Sequence, residues 1–366
     1  MEVLGPRLDV VGLPLNPTVR HKLQCAGFRT TADLAGVAGP VELATEAQLT
    51  HEEALAVLQL AAPQRVAPAA AAASHAVSAR QLYAREQAAR RIITFAAELD
   101  GILGGGVETG AITEFCGVPG VGKTQLGMQL ALDVQLPATF LGLGGAAVYI
   151  DTEGSFMLER CCQMADAFLA HLAKVAAAKG DAAKAAAAAA LTRDQLLASI
   201  HYFRIRDHVE QLAAVEMLPA FLAQHPSVKL VVIDSVTFHF RQETGDLAAR
   251  TRQLAQMAQQ LMQLAGQRDV AVVLMNQVTT KLAPSGGSSS GGDAAEEAAS
   301  RLVPALGDSW AHAATSRVIL HWQGSSRHAF IYKSPTQPAA GAQYRVTKEG
   351  VRGVDKRSGK RARAGG

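Results

Sequence analysis

Apolar positions along the chain keep two rhythms. The stretches AITEFCG (111–117), AAVYID (146–151), VKLVVID (228–234) and VAVVLMN (270–276) are short and almost continuously apolar. That pattern predicts strands of a parallel sheet covered on both faces. Between them, TQLGMQLALDVQL (124–136) is apolar on most sides, which predicts a helix buried between the sheet and an outer layer. FMLERCCQMADAFLAHLAKVAAA (156–178) predicts another helix. In 247–267, Leu254, Met257, Ala258, Leu261, Leu264 and Ala265 fall on one stripe of a helix. Late strands are expected near 316–322, 329–334 and 344–347. Alternating strands and helices with a final run of strands make the fold class α/β, a mostly parallel core with an antiparallel edge.

The first 62 residues follow the helical rhythm alone. Asn16-Pro17 supplies a cap and a proline at the first helical position, and Gly27 a stop. A second helix is signalled at Thr31, and a third at Thr50, where Glu53 completes a capping-box pattern. This predicts a small all-α domain over 1–62. An Ala/Pro-rich linker follows over 63–90, with a helix at 79–91, and then the large domain over 91–352. Two stretches break the pattern. The Ala-rich run 174–191 reads as a solvated spacer or a helical extension, and APSGGSSSGGDAAEEAAS (283–300) as a flexible loop.

Composition narrows the class only slightly. No apolar run is long enough for a membrane helix, so no membrane partner is expected, and the N-terminus does not resemble a signal peptide. The four cysteines form no CxxC pair, which argues for a reducing compartment and against a zinc site. A net charge of +3 is too small to identify a nucleic-acid partner. From 345 to 363 there are eight Lys or Arg against two acids without an apolar pattern, which reads as a disordered tail, placed at 353–366.

The chemistry starts at GVPGVGKTQ (117–125). Gly117, Val118, Pro119, Gly120, Val121 and Gly122 form a loop whose backbone N–H groups can turn toward phosphate oxygens. Lys123 then reaches the outer phosphates and Thr124 offers a hydroxyl to Mg²⁺. Gln125 opens the helix. The nucleotide expected is ATP. Asp234, at the end of an apolar strand taken as a neighbour of the loop's strand, is placed to hold the same Mg²⁺. Glu153 follows another strand expected beside it, and has two readings, a base for water or a turn residue in D-T-E-G. Asn276 and Gln277 end a third strand, and both are expected to face the site.

Taken in order, ITEFCGVPGVGKTQLGMQLALDVQLP, VYIDTEGSF, LVVIDSVTFHFR, VVLMNQVTTK and LVPALGDSWAHAATSRVIL resemble the eukaryotic RecA-like recombinases. IITFAAELDGILGGGV and the LVPALGDSWAHAAT block resemble the paralogs that assist the main recombinase more than that recombinase itself. The resemblance covers 1–62 and 90–350. It implies a RecA-like P-loop ATPase core behind a small helical domain, with ATP and Mg²⁺ as cofactors. It makes Glu153 the water activator, Gln277 a γ-phosphate sensor, Lys123 a catalytic cation, and Arg160 a neighbour of the adenine. Two DNA-facing loops are implied, near 241–249 and 279–310. Arg241, Arg250 and Lys281 would face DNA there, each with an ordinary solvated cation as its rival reading. His312 would lie between the second loop and the nucleotide, with a packed histidine as rival. Where the main recombinase joins its neighbours through Phe-x-x-Ala, this chain has Ala76-Val-Ser-Ala79. That departure favours a hetero-oligomer of paralogs over a long self-filament. The implied function is ATP-dependent homologous recombination and double-strand break repair, meiosis included. Its partners would be single-stranded or branched DNA, other paralogs and the main recombinase. An ATP-holding scaffold and a strand-exchange enzyme are the alternatives. Lys356, Arg357, Lys360, Arg361 and Arg363 resemble a nuclear import signal.

Overall fold

The computed structural model describes residues 9–37, 39–61, 78–242, 247–280, 302–304, 310 and 312–354. The chain divides into two compact units, Met1–Gln87 and Ala88–Gly366.

In the first unit four α-helices surround one apolar core: α1 (Pro17–Cys25), α2 (Thr31–Ala35), α3 (Pro40–Glu46) and α4 (His51–Ala61). Val10, Leu23, Leu34, Leu43, Ala54 and Val57 are fully buried in it. Asn16 caps α1 by accepting from the Thr18 N–H at 3.0 Å. Thr50 and Glu53 exchange hydrogen bonds as a capping box. The cap of α2 is Thr30 rather than Thr31, because Asp33, three residues on, closes the reciprocal bond. Sequence periodicity misses α3, a single two-turn helix opened by Pro40. Helix α5 (Ala79–Ala88) is capped by Ser78 and Gln81. The Pro/Ala-rich segment 62–77 lies outside the described residues.

The second unit is built on one large sheet. A short antiparallel pair, β1 (Arg91–Ile92) and β2 (Val107–Glu108), stands apart from it with α6 (Ala97–Ile102) between them in sequence. The sheet holds β3 (Ile112–Gly117), β4 (Ala146–Asp151), β5 (Ile200–Arg204), β6 (Val228–Asp234), β7 (Ala271–Thr280), β8 (Leu302–Pro304), β9 (Ser316–Gln323), β10 (Ser326–Lys333), β11 (Gly341–Thr347) and β12 (Gly350–Gly353). Its order is β12-β11-β10-β9-β3-β7-β6-β4-β5, with β8 paired to β7. The strands from β9 through β5 run parallel, and β10 to β12 form the antiparallel edge.

The central strands β4, β6 and β7 are largely apolar because both faces are covered. Phe115, Tyr149, Val232, Val273 and Met275 pack with α7 (Lys123–Asp133) and α8 (Leu158–Lys179). Ile112, Val148, Ile233, Val272 and Leu274 pack on the opposite face with α11 (His208–Gln224) and α13 (Leu247–Arg268). All six residues of the α13 stripe are buried. Gly127 lets α7 approach, since a Cβ there would meet Met275, the Tyr149 hydroxyl and Val232 at 3.2–3.3 Å.

Several expectations change. Neither the Asp234 strand nor the strand before Glu153 adjoins the loop's strand. β7 sits between β3 and β6, and β4 lies beyond β6. The Ala-rich run is helical. α8 continues to Lys179, and Asp181 then caps α9 (Ala182–Ala190), whose Ala188 packs against the core with Leu191. Helix α10 (Arg193–Ala198) then leads into β5. The basic run is folded at its start. Arg345 and Arg352 are cross-strand neighbours in β11 and β12. Arg352 donates to the Gln129 side chain at 3.2 Å, so its charge reflects pairing rather than disorder. Residues 355–366, with the five import-signal cations, lie outside the described residues.

One buried polar cluster lies on the α13 face. Glu114 is fully buried on β3 and pairs with Arg317 on β9 at 2.5 Å. It also accepts from Asn276 Nδ2 at 2.6 Å and Trp310 Nε1 at 2.9 Å. Removing one member of such a pair leaves a buried charge without compensation. Glu114→Gln is expected to cost about 3–5 kcal/mol of stability of this unit. The denaturant midpoint reads it, and a change below about 1 kcal/mol would show that the pair carries no net weight.

Candidate nucleotide site

The parallel register fixes where the strand ends stand. Gly117 of β3 is level with Gln277 of β7, and Asp234 of β6 is level with Asp151 of β4. Chains leaving these ends turn toward one edge of the sheet, the carboxyl edge, where α/β folds place ligands. A cavity of about 260 Å³ opens there. It is lined by Pro119, Gly120, Gly122, Lys123, Thr124 and Gln125, and by Glu153, Asp234 and Gln277.

The loop 117–122 owes its path to glycine. Gly120 and Gly122 have φ of 78° and 110°, in the left-handed region that side-chain-bearing residues avoid. Gly117 is needed for space, since a Cβ would stand 2.7 Å from the Leu320 carbonyl. The Tyr344 hydroxyl donates to the Val121 carbonyl at 2.8 Å and pins the loop to β11. Gly122 caps α7 with no side chain of its own, so the helix's positive end opens onto the cavity.

Lys123 folds back over the loop and donates to the carbonyls of Gly117 at 2.8 Å and Val118 at 3.1 Å. Burial lowers its pKa, while the charges of Asp234 and Glu153 act to raise it. Thr124 hydrogen-bonds the Asp234 carboxylate, and its hydroxyl is 3.4 Å from Ser155 Oγ. Burial pushes the Asp234 carboxyl up to about 6, and the nearby Glu153 adds to this. The hydrogen bonds from Thr124 and Tyr149 and the charge of Lys123 work the other way. Tyr149 reaches Asp234 Oδ2 at 2.9 Å. The oxygen set of Thr124 and Asp234 suits Mg²⁺. Among the described residues no group of three or more His, Cys, Asp or Glu could hold a metal. Two protein oxygens, from Thr124 and Asp234, fit a magnesium that takes its remaining ligands from phosphate and water.

The turn after β4 is held by Asp151, not by Glu153. Asp151 Oδ1 accepts the N–H groups of Glu153, Gly154 and Ser155, and Oδ2 accepts those of Phe156 and the Tyr202 hydroxyl. This leaves the Glu153 side chain at the cavity, where Oε1 accepts from Ser235 Oγ at 2.6 Å and Gln277 Nε2 at 3.3 Å. Thr152 ties the β4 and β6 loops together through both the N–H and the carbonyl of Ser235.

The other expected residues separate. Asn276 points away from the cavity to Glu114, because neighbours on a strand face opposite sides. Arg160 does not line the cavity. It donates to the Gln125 side chain at 2.7 Å, to the Lys348 carbonyl at 2.6 Å and to the Thr347 carbonyl. Its link to the site is thus through Gln125. Arg241, on α12 (Phe238–Gln242), donates to Gln277 Oε1. Arg250 is half-buried on α13, and His312 is exposed rather than packed. Lys281 lies outside the described residues, as does most of the second expected loop. The described ends of that loop pair as a ribbon, Val278 with Pro304 and Thr280 with Leu302. A further cavity of about 340 Å³ lies at edge strand β5, lined by Phe156, Leu158, Leu197, Ile200 and Tyr202. It has no charged lining and does not suit phosphate.

Comparison with known proteins identifies the family. A family model described as Rad51 matches residues 85–188 and 178–354, two pieces that meet in the Ala-rich run. DNA repair protein RAD51 homolog 3 of Cricetulus griseus is 44% identical over 349 residues, 94% of this chain and 92% of that protein. The protein of the same name from Dictyostelium discoideum is 39% identical over 263 residues, 72% of this chain and 65% of that protein. The chain belongs to the Rad51 family.

For this Rad51-family chain, motif reading finds the loop, Asp234, Glu153 and Gln277, and misses their supports. Asp151 had a signal, an aspartate followed by Thr-Glu-Gly, the composition of an Asx turn. Tyr149, Ser155, Ser235 and Tyr344 had none, since a lone hydroxyl has no spacing in the sequence that names its partner. Asp151→Ala should leave the N–H groups of 153–156 without an acceptor. Hydrogen exchange at those four amides is expected to speed up at least tenfold, with the Met1–Gln87 unit unchanged. Unaltered exchange at 153–156 would refute the role given to Asp151.

Proposed function

We propose that the protein is an ATP-dependent factor of homologous recombination and DNA repair, which hydrolyses ATP slowly and in response to DNA. The observation that carries this reading is the convergence of Lys123, Thr124, Glu153, Asp234 and Gln277 on one cavity. Family membership and the name shared by both relatives support the recombination and repair setting.

On this reading, Gly117 to Gly122 and the N-terminus of α7 hold the phosphates. Thr124 and Asp234 hold Mg²⁺, which when bound neutralises phosphate charge and polarises the transferred group. Lys123 leaves the Gly117 and Val118 carbonyls for the outer phosphates. Glu153 accepts the proton of an attacking water, and Gln277 donates to the γ-phosphate. Oε1 of Glu153 is already clamped by two donors, Ser235 and Gln277, which leaves it less free to accept from water and supports slow turnover. The same clamp favours the second reading, a scaffold that holds ATP within a paralog complex.

Arg250, Lys281 and the segment 279–310 would meet the DNA backbone. The Ala76-Val-Ser-Ala79 tetrapeptide, which lacks a Phe anchor, supports assembly with other paralogs over self-filaments. Lys356, Arg357, Lys360, Arg361 and Arg363 would direct nuclear import.

ATP turnover with and without single-stranded DNA tests the reading. Lys123→Ala should abolish measurable ATP binding. Glu153→Gln should bind ATP but lose turnover by about 100-fold or more, the usual weight of a general base. Turnover in Glu153→Gln equal to that of the unaltered protein contradicts the assignment. Tight ATP binding with no turnover in the unaltered protein selects the scaffold.

A further inference from the structure

Sequence alone casts Arg241 as a cation for the DNA backbone. In the fold its guanidinium donates to Oε1 of Gln277, which itself lines the phosphate cavity. Gln277 in turn donates from Nε2 to Glu153 Oε1 at 3.3 Å, which Ser235 Oγ also meets at 2.6 Å. Donation runs from Arg241 to Gln277 to Glu153, and Ser235 donates into the same carboxylate oxygen. A guanidinium can only donate, so the amide atom facing it is oxygen. A carboxylate can only accept, so the atom facing it is nitrogen. Gln277 is therefore held at both ends, with its amide orientation set by charged neighbours.

This orientation matters for phosphate. The γ-phosphate oxygens only accept, so a side chain that recognises them must offer hydrogens. Gln277 lines the cavity. One hydrogen of its Nε2 goes to Glu153, and the second remains for an acceptor in the cavity. Without Arg241 the amide keeps only the Glu153 restraint, and a half-turn that presents Oε1, which repels phosphate, becomes less costly. Arg241 stands on α12, a few residues after Asp234 and Ser235, so one connection from β6 carries all three groups.

We infer that Arg241 is a positioning residue for γ-phosphate recognition. It holds the Gln277 amide with its NH₂ toward the nucleotide. The inference rests on the nucleotide reading above and adds a residue that acts through Gln277.

Equilibrium affinities for Mg·ATPγS and Mg·ADP test it without requiring turnover. Arg241→Met should weaken ATPγS about five- to tenfold, the weight of one hydrogen bond to a charged group, and leave ADP within about twofold. Arg241→Lys keeps a donor and should recover at least half of the loss. Gln277→Leu should show the same loss, and the double variant Arg241→Met/Gln277→Leu no more than either alone. The melting temperature of each variant separates this effect from unfolding. An ATPγS-to-ADP ratio unchanged in folded Arg241→Met, or additive losses in the double variant, would overturn the inference. Wild-type protein that binds neither nucleotide would overturn the nucleotide reading itself, and this inference with it.

Discussion

Parallel pairing of β9, β3, β7, β6, β4 and β5 is the constraint on which the site depends. Parallel strands end at the same edge, and their register here leaves Gly117, Gln277, Asp234 and Asp151 at neighbouring levels. Residues far apart in sequence thus share one cavity with no long side chain needed to bridge them. The cost is that the central strands must be largely apolar on both faces, which explains the runs VVID and VVLM.

The two faces of β3 and β7 carry different polar chemistry. On the α13 face Glu114, Asn276, Trp310 and Arg317 form a closed cluster that knits β3, β7 and β9 together. At the strand ends, Gln277, Glu153, Asp234 and Lys123 line a cavity instead. Asn276 and Gln277 are adjacent, yet belong one to the cluster and the other to the cavity. Both stand on the β7 backbone, which the cluster ties to β3 and β9. The cluster is therefore part of how the site is held, although none of its side chains faces the cavity.

Sequence revealed the fold class, the stripe on α13 and most residues that line the cavity at the strand ends, because each has a periodic or spaced signature. Strand order was not legible. Nothing in AAVYID says that two strands separate it from ITEFCG, and adjacency was wrongly expected for both carboxylate strands. Facing was lost where two polar residues adjoin, as at Asn276 and Gln277. Hydrogen-bond partners were lost throughout. Arg160 and Arg241 look like free cations in sequence, and only tertiary structure brings Arg160 to Gln125 and Arg241 to Gln277. A basic run was mistaken for a tail where Arg345 and Arg352 pair across strands.

The central claim is that three separate strand ends serve one bound nucleotide. Hydrogen exchange of the full chain with and without Mg·ATPγS tests it directly. The account predicts simultaneous protection of 117–125, 151–156 and 276–277. Protection confined to 117–125 would contradict it, leaving a phosphate loop to which the carboxylates and the amide do not respond.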